Sequence, residues 1–116
     1  MADTYTIDDH FADKAPIVRT LYDRLLEILN GFGPIIEGSK KTSIHLVRKS
    51  ALAGVETRKG YLLLNIKSDH KIDSPRIQRA EQVSASRYHH KVKIESLDDF
   101  DAELEGWLKE AYLISG

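Results

Sequence analysis

The sequence predicts an α+β fold: a two-layer sandwich with N- and C-terminal helices on one face of a mostly antiparallel sheet of four to six strands. Two observations lead there, and the charge distribution runs parallel to them. Apolar residues near both ends recur with the 3.6-residue rhythm of helices that bury one face. Between them the rhythm shortens toward two, the period of half-buried strands. Charge follows the same division. Residues 38–93 carry 13 Lys and Arg against four acids, while residues 1–37 have a net charge of −4 and residues 94–116 of −6.

The elements follow in order. Thr6, with Asp9 three residues later, predicts a capped short turn through His10 and Phe11. Val18, Leu21, Tyr22, Leu25 and Leu29 define a helix over 16–30. Pro16 suits its first turn, where a missing N–H leaves no bond unmade. Asn30-Gly31 predicts its end, with Gly31 as the left-handed cap, and Gly33-Pro34 prevents resumption. A short strand fits at 35–37. Strands are then predicted over 43–49, more weakly over 52–57, and over 61–67, where Leu62, Leu64 and Ile66 share a face and Lys59-Gly60 makes the preceding turn. Residues 68–75 read as a loop, and 76–86 as ambiguous with a strand toward its end. The clearest strand is 88–95, with Tyr88, His90, Val92 and Ile94 on one side and His89, Lys91 and Lys93 on the other. The second helix is predicted over 97–113, capped by Ser96, with Asp98, Asp99 and Asp101 at its positive end. Leu97, Phe100, Leu104, Trp107, Leu108 and Ala111 form its apolar stripe.

Composition limits what this fold can do. The chain has 116 residues, 41% hydrophobic and 30% charged, which suits one globular domain spanning 1–116. The absence of cysteine excludes disulfides, thiolate metal sites and thiol nucleophiles. No apolar run approaches the ~20 residues that span a bilayer, so a cytoplasmic location and no membrane partner are expected.

Several ordered patterns resemble one family. They are His10-Phe11, Gly33-Pro34, Lys40–Ile44, Asp73-Ser74-Pro75-Arg76-Ile77, Arg87-Tyr88-His89-His90-Lys91-Val92, and a tail of Asp101 followed by Trp107-Leu108-Lys109-Glu110-Ala111-Tyr112. Over roughly residues 5–112 the chain resembles the bacterial family called domain of unknown function 5655. The resemblance implies a small bacterial domain and no established activity, cofactor or catalytic residue.

On the predicted layout Arg87, His89, Lys91 and Lys93 face away from the helices. With Lys41 and Arg48 they form the candidate surface for a ligand or anion. His10, His90, Asp101, Trp107 and Tyr112 form a second candidate, a pocket on the helix side. There His90 is expected as a core imidazole hydrogen-bonded to a helix residue, Asp101 being the choice. His89 and His90 point to opposite faces and do not share a metal. No metal-ligand spacing, phosphate loop or nucleophile motif is present, so no catalytic residue, metal or cofactor is assigned. The resulting expectation is a non-enzymatic binding or protein-interaction module. Its partner is a protein, a small anionic ligand or a second copy meeting an open face that bears Val47 and Leu63. The alternatives are an accessory nucleic-acid-binding domain using the basic middle, and a small enzyme or metal carrier using His10, His90 and Asp101. The near-neutral net charge of −1 and the scarcity of strand aromatics weigh against nucleic acid.

Overall fold

The computed structural model describes residues 6–116. After a 3-10 turn at Asp8–Phe11 come α1 (Pro16–Phe32), β1 (Ile36–Ser39), β2 (Ile44–Val47), β3 (Ala51–Thr57), β4 (Leu62–Ser68), β5 (Ile77–Ser84), β6 (Arg87–Ile94), a 3-10 turn at Leu97–Asp99, and α2 (Ala102–Ile114). The six strands form one antiparallel sheet in the order β1-β2-β3-β4-β6-β5, and both helices pack against it.

Strand alternation decides the two faces. Ile44, Leu46, Val55, Leu62, Leu64, Ile66, Val92 and Ile94 are shut off from water. They form one cluster with Val18, Leu21, Tyr22, Leu25 and Leu29 of α1 and Leu104, Leu108 and Ala111 of α2. Removal of each of the Val, Leu and Ile side chains from water contributes about 1.5–3 kcal/mol. Because Val92 and Ile94 are buried there, His89, Lys91 and Lys93 stand on the opposite, helix-free face. Thr6 and Asp9 make the expected reciprocal cap: the Thr6 N–H donates to Asp9 Oδ2 at 2.9 Å and the Asp9 N–H to Thr6 Oγ1 at 3.2 Å.

The structure corrects four boundaries. Helix α1 continues through Gly31 to Phe32, and the cap is Gly33. Continuing lets the Phe32 ring meet Tyr112 of α2 at 6.0 Å. Gly33 has φ +156°, and a Cβ there would collide with Tyr112 Oη, so the position favours glycine on both grounds. The predicted C-terminal helix is split. Asp99 Oδ2 accepts the Glu95 and Ser96 N–H groups at 2.7 and 3.1 Å, which closes a separate turn. Asp101 then caps α2 by accepting the Leu104 N–H at 3.0 Å. Phe100 turns inward between the two caps, and Leu97, expected in the apolar stripe, is 48% exposed. Strand β3 is a full seven residues, its pattern muted in sequence by Ala51, Ala53 and Gly54. Strand β5 fills most of the ambiguous segment. It pairs only with β6 at the sheet edge and is largely exposed, so it has little apolar periodicity to read.

Candidate functional site

The open face carries a groove of two adjoining depressions over β2, β3, β4, β6 and β5. Its first half is a depression of about 130 Å³ lined by His45, Ala51, Leu52, Ala53, Gly54, Asn65, Lys67 and His89. Its second, about 140 Å³, is lined by Asn65, Arg79, Glu81, His89 and Lys91. Asn65 and His89 belong to both. The register explains the hollow. One row across the sheet reads Gly38, His45, Gly54, Asn65, Lys91, Arg79. Gly54 has no side chain to fill the space beside Asn65, while longer side chains rise on either side. The Asn65 Oδ1 is buried and has no hydrogen-bond partner among the described residues. An unmade bond of this kind costs about 1–3 kcal/mol.

The charges on this face are unevenly matched. Lys91 approaches Glu56 at 3.8 Å, Arg79 approaches Glu81 at 3.6 Å, and Lys93 approaches Glu95 at 3.4 Å while lying 4.5 Å over the Tyr61 ring. Lys67 has no such partner among the described residues; its Nζ donates to Ser50 Oγ at 3.4 Å. Burial, and then the charge of Arg87, lowers the Lys67 pKa. Lys67 pairs in register with His89, and Glu81 flanks His89 on the other side. Burial pushes the His89 pKa down, Lys67 adds to the drop, and Glu81 opposes it. A hollow that disfavours its own cations is one that an anion would relieve.

The family model described as Domain of unknown function (DUF5655) matches residues 7–115. The chain belongs to this family. No curated protein and no solved structure matches it.

In this DUF5655 domain the predicted anion-binding residues divide. Arg87, His89, Lys91 and Lys93 share the open face, and His89 and Lys91 line the groove. Lys41 lies in the β1–β2 turn. Arg48 leaves the set: it donates to the Tyr112 carbonyl at 3.0 Å and lies 4.3 Å over that ring, capping the end of α2. Sequence reasoning missed Asn65 and Lys67. The alternation that placed Leu62, Leu64 and Ile66 inward also places these two outward, so the signal was present in β4. The same alternation about Ile44 and Leu46 turns His45 outward, while only strand order brings Gly54 beside it. Val47 and Leu63, expected as apolar surface for a second copy, are each partly covered.

The five residues expected to share a helix-side pocket have separate partners. The His10 ring bonds Ser39 Oγ at 3.0 Å, and Phe11 packs on Tyr22 at 5.2 Å. His90 is buried as expected, but its partner is not Asp101: Nε2 accepts the Ile72 N–H at 3.0 Å. Asp101 is committed to Leu104 and to Arg76, at 2.8 Å. Trp107 lies beneath that Arg76 guanidinium at 5.8 Å, and Tyr112 beneath Arg48. The described residues contain no group of three or more His, Asp or Glu placed to hold a metal ion. Ser68, Asp69 and His70 cluster without forming a relay. Ser68 Oγ and Asp69 Oδ1 both meet His70 Nδ1, at 3.3 and 2.8 Å, whereas a relay needs the two ring nitrogens to serve opposite partners.

Proposed function

We propose that this domain is a non-enzymatic binding module that holds a small anionic ligand in the groove on its open sheet face. The observation that carries the reading is the meeting of Lys67 and His89 in a groove wall where, among the described residues, Lys67 has no carboxylate partner. Lys91, Arg79 and Lys93 have acids near them, whereas Lys67 and the neighbouring Arg87 have none among the described residues, so the unbalanced positive charge concentrates at this end of the face. The groove's size favours a small molecule over a nucleic acid. Tyr61, an aromatic available for stacking a base, is covered by Lys93.

The test is an amide NMR titration of the intact chain with inorganic phosphate, citrate and benzoate. Saturable shifts confined to β3, β4 and β6 around Gly54, Asn65, Lys67 and His89 are expected for at least one anion. Absence of any localised change at about 10 mM of each, above the millimolar Kd of a weak site, would remove the reading.

A further inference from the structure

Resting on that anion-binding reading, we infer the ligand's chemical class: a compact apolar body bearing one oxyanion head, a carboxylate or a phosphate ester. The head sits at Lys67 and His89, and the body lies over Ala51–Gly54. The first depression has two unlike parts. The β3 residues Ala51, Leu52, Ala53 and Gly54, with no charged group, form its floor, and His45, Asn65, Lys67 and His89 form its polar wall. A hydrated inorganic anion would engage the wall and gain nothing from the floor. An apolar group joined to an oxyanion engages both. An apolar cavity of roughly 150 Å³ holds a benzene ring. The depression of about 130 Å³ therefore suits a body of that size and is too small for a nucleotide.

The same geometry couples binding to protons. The charged and titratable groups around His89 are Lys67 from β4, Arg79 and Glu81 from β5, Arg87 and Lys91 from its own strand, and His45 across the hollow from β2. Burial, and then the charge of Lys67, lower the His89 pKa in the free domain and so disfavour its charged form. An oxyanion beside it offsets both effects and favours the imidazolium, so binding takes up a proton and weakens as pH rises.

Calorimetric and NMR titrations test this with benzoate, phenyl phosphate, inorganic phosphate and benzyl alcohol. Variants Lys67→Met, His89→Gln and Gly54→Val accompany the wild type. Benzoate or phenyl phosphate should bind about tenfold more tightly than inorganic phosphate or benzyl alcohol, and their order identifies the head. Lys67→Met should weaken the better ligand about tenfold. Benzoate stays ionised throughout, and it should tighten several-fold from about pH 8 to about pH 6, a dependence that His89→Gln flattens. Gly54→Val fills the floor and should abolish binding of both ring compounds. A Cβ at Gly54 lies no nearer than 3.9 Å to Asn65 Cβ, so the space accepts it. If that variant does not fold, Ala51→Phe, at the exposed end of the same floor, supplies the same block. Inorganic phosphate binding as tightly as phenyl phosphate, or ring compounds unaffected by the floor variants, would overturn this inference and leave the anion reading standing. No binding by any of the three anions would overturn both.

Discussion

His90→Phe should destabilise the protein by about 1–2 kcal/mol at neutral pH and remove part of its sensitivity to acid. His90 is fully buried on β6, its ring stacked near Tyr88 at 6.3 Å. Its Nε2 accepts the N–H of Ile72, which lies in the segment between β4 and β5. Phenylalanine keeps the ring and removes the acceptor, leaving the Ile72 N–H buried and unpaired. A loss of this kind costs about 1–3 kcal/mol. The lower half of the range applies because the substitution also removes His90 Nδ1, which is buried without a hydrogen-bond partner among the described residues. For a domain of this size the change corresponds to about 4–10 °C in Tm. The pH signature is separate. Only the neutral ring accepts the Ile72 bond, and burial, outweighing the nearby Ile66 carbonyl, holds the folded pKa below 6.5. Between the folded value and 6.5 the unfolded chain binds more protons, so stability rises with pH. Wild type therefore loses stability as pH falls below 6.5, until the folded ring itself protonates. Urea unfolding followed by Trp107 fluorescence, at about pH 7.5 and about pH 5, measures both effects. His89→Gln is run beside it, because His89 is lowered too. A His90→Phe protein as stable as wild type at neutral pH, with an unchanged acid response, would refute the reasoning.

Asp101→Ala should cost about 1 kcal/mol by removing the α2 cap, while Asp101→Asn keeps an acceptor for the Leu104 N–H and should recover most of it in thermal melts. The Leu104 N–H, and then Arg76, hold the Asp101 carboxyl below the usual 3.8; its contribution is present above that value and is lost as pH falls through the folded one. Gly106→Ala should raise stability by up to about 1 kcal/mol in urea titrations, because the α2 interior position is exposed and a Cβ there meets nothing within 4 Å. Gly33→Ala should destabilise by more than about 1 kcal/mol, and Tyr112→Phe in the same chain should restore part of the loss by removing the hydroxyl that the new Cβ meets.

What was legible in the sequence is what one buried face imposes. β6 alternates between Tyr88, His90, Val92, Ile94 and His89, Lys91, Lys93 because only one side meets the helices, and its facing could be read before any pairing was known. Helix α1 was legible for the same reason. The features that escaped are those decided by a partner elsewhere in the chain. Gly33, not Gly31, ends α1 because Tyr112 occupies the space beside it. Leu97 lies outside the core because Asp99 and Asp101 cap separate turns. Strand β5 has no apolar face to declare it, and Arg48 looked like a surface cation because its acceptor, Tyr112, is 64 residues away.

The groove escaped for a reason of topology. In a simple meander β4 would pair with β5, the next strand in sequence. Here β5 passes to the sheet edge and β6 occupies the place beside β4. Two contacts hold the crossing segment: the Ile72 N–H on His90, and Arg76 on Asp101 and on the Asp99 carbonyl, at 2.8 and 2.7 Å. With β6 inserted, Lys67 lies opposite His89, and Asn65 lies between Gly54 and Lys91. Had β4 paired with β5 instead, Lys67 would face a strand in which Glu81 follows Arg79 at the next outward position. The local charge would then be closer to balanced. The cationic hollow is therefore a product of strand order, and the helix-side residues His90 and Arg76 hold on the buried side the crossing that creates it on the open side.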